Sequence, residues 1–87
     1  MAKILKSDGT EEELKPPEGS EFLSLEQLQK AVGGYIEEVK VAHSDNFLIV
    51  NEEGLLKHLP KNERASEMIK GYIVGDVVLC STFELET

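Results

Sequence analysis

Apolar residues in this chain come in short bursts whose spacing switches between two and three or four, and the switches predict the order of elements. Residues 2–5 (AKIL) and 11–14 (EEEL) read as two strands joined by Ser7-Asp8-Gly9-Thr10, because Asp-Gly supplies the positive φ of a tight hairpin. Residues 15–21, KPPEGSE, carry consecutive prolines, a glycine and no apolar period, which predicts an extended connector. Ser24 then stands where a cap belongs, with Gln27 at the capping-box position and Leu23 and Leu28 at the two ends of a hydrophobic staple. A helix should start at Leu25. Its apolar residues Leu25, Leu28, Ala31 and Val32 recur at helical spacing for about two turns, and Gly33-Gly34 provide a left-handed stop.

Residues 35–41 are rich in β-branched and aromatic side chains and predict a strand, with 42–46 as a polar turn and 47–50 as its antiparallel partner. Asn51-Glu52-Glu53-Gly54 has the make-up of a type I turn completed by glycine, so residues 55–59 are expected to return as a third strand of a meander. Pro60 ends that segment. Asn62 is a good N-cap for a second short helix with Ala65, Met68 and Ile69 on one narrow apolar face, closed by Lys70 and Gly71. Residues 72–80 form a nearly continuous apolar run around Gly75-Asp76, which predicts a strand bulged or bent at the glycine, buried on both faces and therefore central. The polar tail 81–87 is expected to extend that strand or fray. The fold class is thus α+β: a small, mostly antiparallel sheet of five to six strands in the order ββαβββαβ with two short helices. One domain spans 1–87, as an N-terminal hairpin (1–14), a connector (15–23) and a core (24–80).

Length and charge narrow the partners. A chain of 87 residues has one thin core, so pairing into a homo-oligomer is expected to help stabilise it. Nine Lys and Arg against seventeen Asp and Glu give a net charge of −8, which disfavours phosphate backbones and anionic lipid. Direct nucleic-acid and membrane binding are therefore not expected. Mimicry of a DNA backbone needs carboxylates arrayed over one face. Here Glu11, Glu12 and Glu13 cluster in one region and Glu52, Glu53, Glu63 and Glu67 in another, so charge that keeps the protein soluble is the plainer reading. The single cysteine, Cys80, cannot form an internal disulfide, and no apolar run of signal-peptide length follows Met1-Ala2-Lys3-Ile4-Leu5-Lys6, so a cytoplasmic location is expected. The longest apolar stretches, 47–50 and 77–80, fall far short of the ~20 residues of a membrane-spanning helix.

Candidate chemistry is sparse. His43, His58 and Cys80 lack the close pair spacings of zinc sites, so no metal and no cofactor are expected. Glu37, Glu38, Glu52 or Glu53 with His58 could form an acid/base pair only inside a cleft, and adjacent glutamates on a strand point to opposite faces. Ser24 and Ser66 sit at helix positions outside any nucleophile elbow, and Gly33-Gly34 end a helix where a phosphate loop would begin one. The better anion candidate is the start of the second helix, where Asn62 lies beside Lys61 and Arg64, against the plainer reading of a capped, solvated turn. Tyr35 could stack on a ligand, although an aromatic residue opening a strand is more often core. Tyr35, Glu37, Asn51, Glu53, Asn62 and Arg64 are accordingly the candidates for ligand or partner contact, and no residue is assigned a catalytic role.

The segments AVGGYIEEV, LIVNEEGLLKHLP, NERAS and IVGDVVL occur in an order and spacing that resemble a family of short phage, plasmid and bacterial proteins, domain of unknown function family three-eight-four-six. The likeness covers about residues 24–79, and its most specific pieces are Gly33-Gly34-Tyr35-Ile36-Glu37, Asn51-Glu52-Glu53-Gly54, and Pro60 with Asn62. It implies an accessory protein of a mobile element, a class that includes modifiers of host physiology and inhibitors of host defence, and it assigns no reaction. The functional expectation is a non-enzymatic binding protein acting by stoichiometric contact with a host or phage protein. The alternative is a binder of a small anionic ligand such as a nucleotide signal, held near Tyr35, Asn62 and Arg64 at a subunit interface.

Overall fold

The computed structural model describes residues 2–81. The expectation for the tail beyond Ser81 falls on residues 82–87, outside the described residues. Five strands and two helices follow in the order β1 (Ala2–Leu5), β2 (Glu11–Leu14), α1 (Leu25–Val32), β3 (Ile36–Lys40), β4 (Asn46–Asn51), α2 (Glu63–Ile69) and β5 (Val77–Ser81). They build one antiparallel sheet in the order β2-β1-β5-β4-β3, an α+β architecture as the apolar pattern required. The last strand runs down the middle. Val77 and Val78 have no exposed surface although they point to opposite faces, which is what a continuous apolar run means in a central strand.

The pairing register divides the side chains between two faces. Ile4, Val78, Ile49 and Glu38 stand in one row across the sheet, and Lys3, Leu79, Leu48 and Val39 stand in the adjacent row, on the opposite face. On the first face Leu28 and Val32 of α1 pack with Ala2, Ile49, Val78 and Cys80; on the second, Ala65 of α2 and Ile73 pack with Leu5, Leu48, Val50 and Val77. Each fully buried aliphatic side chain contributes roughly 1.5–3 kcal/mol, so Leu48, Ile49, Val77 and Val78 dominate the stability of the two half-cores.

Helix α1 begins and ends as its sequence requires. Ser24 Oγ accepts from the Gln27 amide at 3.1 Å, and Gln27 Oε1 accepts from the Ser24 amide at 3.0 Å, a complete capping box. Leu23 and Leu28 are both buried in the α1 core, consistent with the staple, and Gln27 Nε2 donates to the Lys15 carbonyl at 2.7 Å, fastening the proline connector to the helix. Gly33 closes the helix in the left-handed region.

Residues 55–59 depart from the expected third strand of the meander. Strand β4 already has β3 on one side and β5 on the other, so no edge is left for a returning strand. The segment instead winds through turns over residues 52–58, with Lys57 N donating to Glu53 O at 3.0 Å and Leu59 N to Gly54 O at 3.1 Å. Asn51 starts the winding, its Oδ1 accepting from Glu53 N at 2.8 Å. Gly54 is required here for space, since a Cβ would lie 2.8 Å from Val74 Cγ2. The expected strand over residues 72–80 is also shorter than its apolar run. Val74 makes only an isolated bridge to Lys61, and the chain bends at Gly75, with φ +78°, before β5 begins at Val77.

Candidate interaction surface

The polar residues singled out from the sequence divide into two groups, and the inward-facing ones hold the fold together. Asn62 is buried and touches three segments: Nδ2 donates to Leu5 O at 2.8 Å and to Gly75 O at 2.9 Å, while Oδ1 accepts from Ala65 N at 3.0 Å. It joins the end of β1, the bend before β5 and the first turn of α2. Asn51 does the same on the other face, donating from Nδ2 to Val32 O at 3.0 Å at the end of α1. Ser66 is buried as well, with its Oγ 2.9 Å from the amide and 3.2 Å from the carbonyl of Ile73.

The cations expected around Asn62 have partners. Arg64 pairs with Glu11 of β2, and Lys61 sits 3.6 Å from Glu63 and over the ring of Tyr72 at 5.6 Å. Tyr35 lies elsewhere, exposed beside a hollow of about 220 Å³ with Glu53 and Lys57, whose carboxylate and ammonium are 3.9 Å apart. His43 and His58 are exposed on separate turns, each with positive φ, and Cys80 is buried on β5. Among the described residues no three His, Cys, Asp or Glu side chains gather as metal ligands. Glu37 and Glu38 face opposite sides of the sheet, as adjacent strand residues must.

Two further concave regions bring together residues that the sequence did not group. The larger, about 470 Å³, opens between α1 and the β1–β2 hairpin; Ile4, Leu14 and Ala31 supply its apolar part and Lys6, Glu12, Lys30 and Asp76 its charges. Its charges are partly matched internally. Lys6 lies 3.2 Å from Glu12, whose hydrogen bond and negative charge raise the lysine pKa above its ordinary value, and Asp76 accepts from Ser7 N at 2.9 Å. In the neighbouring hairpin turn, the side-chain and then the backbone hydrogen bond from Thr10 hold the Asp8 carboxyl below its ordinary pKa.

The second is a groove of about 360 Å³ on the α2 face, beside β3. Val39, Val50, Ile73 and Val74 line it, and Leu55, Leu56 and Tyr72, exposed by 65%, 79% and 61%, stand along it. Glu37 and Glu52 add carboxylates, and Asn51 borders it too. Read as strands, residues 55–59 and 72–76 would alternate between core and solvent; as a turn and an irregular bent segment, they present their large apolar side chains to the same groove. Leu55-Leu56, two adjacent leucines after a turn motif, were the one available signal. Their meaning depended on a backbone path that a two-residue period does not describe.

The chain matches the family model Domain of unknown function (DUF3846) over residues 3–86. The chain belongs to the DUF3846 family. No match is found among curated proteins or solved structures. The DUF3846 match takes in the N-terminal hairpin as well as the segments that first suggested the likeness, in keeping with β1 being hydrogen-bonded to the central strand. The pieces that made this DUF3846 chain recognisable are largely those that tie it together: Gly33 stops α1, Asn51 fixes the turn after β4, Gly54 admits Val74, and Asn62 joins three segments.

Proposed function

We propose that this DUF3846 domain is a non-enzymatic binding protein that acts by stoichiometric contact with another protein through the groove beside β3. The supporting observation is the convergence of Leu55, Leu56 and Tyr72 on one apolar groove. A single exposed leucine is ordinary on a soluble protein, whereas a cluster of large apolar side chains along a concave surface is characteristic of a contact site. The turn that presents Leu55 and Leu56 is held at its start by Asn51 and by the close approach of Gly54 to Val74, and at its end by Leu59 N donating to Gly54 O, so little ordering of it accompanies binding.

Charge specifies the partner's chemistry. Glu37 and Glu52 beside the groove, and a net charge of −8, favour a segment that alternates apolar side chains with Lys or Arg. Within this proposal the partner is a host or phage protein, because the family resemblance implies a mobile-element setting, and inhibition of a host defence is one form such contact takes. The alternative of a small anionic ligand has less behind it: Asn62 directs both ends of its amide to the backbone and Arg64 is paired with Glu11, which leaves Tyr35 without the two residues expected beside it.

Selection from a random peptide library tests the reading. The wild-type domain is expected to enrich peptides with an apolar and basic pattern, and Leu55→Ser/Leu56→Ser, with unchanged circular dichroism, is expected to bind them at least tenfold more weakly. Enrichment of no pattern, or equal binding by the variant, overturns the proposal.

A further inference from the structure

We infer that two copies of this chain pair antiparallel through the outer edge of β3, in the single register centred on Val39. The inference goes beyond the groove reading, because it uses the backbone of the strand edge and the side chains that flank it. β3 ends the sheet, and among the described residues no strand lies on its outer side.

The direction of each peptide group on β3 follows from its flanks. Val41 N donates to Asn46 O at 3.1 Å and Glu52 N donates to Tyr35 O at 2.9 Å, so Tyr35 and Val41 turn their hydrogen-bonding groups toward β4. Antiparallel ladders alternate, which places Glu37 and Val39 inward and leaves the N–H and C=O groups of Ile36, Glu38 and Lys40 pointing outward. A second copy related by a two-fold axis can bond to those groups only in registers that set outward residues opposite outward residues. Each such register is centred on one residue facing its own copy.

Charge then selects among the registers. Centring on Glu37 or on Glu38 sets glutamate against glutamate, centring on Lys40 sets lysine against lysine, and centring on Ile36 pairs only that one residue of the strand with its copy. Centring on Val39 places Val39 against Val39 and each Glu38 opposite the other copy's Lys40, so two opposite-charge pairs form where the other registers have repulsion or a single-residue overlap. Glu38 and Lys40 share the α1 face while Val39 lies on the groove face, so the ionic and apolar contacts fall on opposite sides of the joined sheet. The opposite edge of the sheet has no such solution. In β2, Glu11-Glu12-Glu13-Leu14, every antiparallel overlap of three or more residues sets glutamate opposite glutamate, which protects that edge from pairing. A copy of this chain is therefore the complement of β3, and joining two copies enlarges an otherwise thin core assembly.

Light scattering after size exclusion, over a concentration series, tests this directly. The wild-type protein is expected at twice the 9.7 kDa chain mass. Glu38→Lys alone and Lys40→Glu alone each put like charges opposite one another and are expected to weaken dimerisation at least tenfold; both side chains are exposed, so melting curves should confirm intact folding. The double exchange Glu38→Lys/Lys40→Glu is expected to restore the dimer, and an equimolar mixture of the two single variants is expected to form a heterodimer. A wild-type protein that stays monomeric at millimolar concentration, or a dimer indifferent to the single reversals, overturns the inference. Mass and peptide capture are separate readouts, so failure here leaves the groove proposal standing, and the reverse holds.

Discussion

Among single residues, Asn62 carries the largest share of non-apolar organisation. Its carboxamide supplies two donors to buried carbonyls and one acceptor to a helix amide, and the described residues contain no buried side-chain polar atom without a partner. Asn62→Ala removes the cap, worth about 1 kcal/mol, and leaves Gly75 O without its donor at roughly 1–3 kcal/mol, while Leu5 O loses a second donor beside its ladder neighbour Val77. We expect a loss of at least about 2 kcal/mol in urea unfolding at constant m. Asn62→Asp is the sharper test. It keeps the acceptor toward Ala65 N and turns a carboxylate oxygen against two carbonyl oxygens, so it should be no more stable than Asn62→Ala at neutral pH. A mutant that melts like wild type would show that the cap alone accounts for the residue. The sequence identified Asn62 as a cap and read the same side chain as available to a ligand. Cap residues look alike in one dimension, and the carbonyls of Leu5 and Gly75 are 57 and 13 residues away along the chain.

Elements whose reasons are local were legible, and elements decided by neighbours in the sheet were not. The capping box, the glycine stop of α1 and the Asp-Gly hairpin each depend on residues within a few positions, and each stands where the pattern placed it. The third meander strand failed because occupancy of both sides of β4 is a property of the whole sheet. The two helix ends give a matched test of local backbone chemistry. Gly33 closes α1 at φ 81°, whereas Lys70 closes α2 at φ 53°, in a region that costs a side-chain-bearing residue about 1 kcal/mol. Lys70→Gly should therefore stabilise the domain by about 0.5–1 kcal/mol, raising Tm by roughly 3–6 °C at this size, and Gly33→Ala should lower it by a similar amount. A Cβ at Gly33 would meet nothing within 4 Å, so its effect reads the backbone alone. Equal signs for the two substitutions in a thermal melt would refute this account.

For the molecule as a whole, the question is where a small chain places its large apolar side chains. Two helices laid on opposite faces of five strands bury Leu5, Leu48, Ile49, Val77 and Val78 almost completely, yet Leu55, Leu56 and Tyr72 stay outside both cores. If those three served folding, their loss would cost what a core truncation costs. Leu48→Ala should destabilise by about 2–5 kcal/mol, because it removes buried volume that its neighbours refill only partly. Leu55→Ser and Leu56→Ser, by contrast, should each leave the unfolding free energy within about 0.5 kcal/mol of wild type, the range of surface substitutions that touch no special feature. Urea unfolding of the three variants separates the possibilities. Values near zero for both serine variants mean that the apolar groove is retained for contact with something outside the folded chain, which is the premise of the proposed function. A loss above about 1.5 kcal/mol at either leucine would place that residue in the core instead and remove the groove as a binding surface.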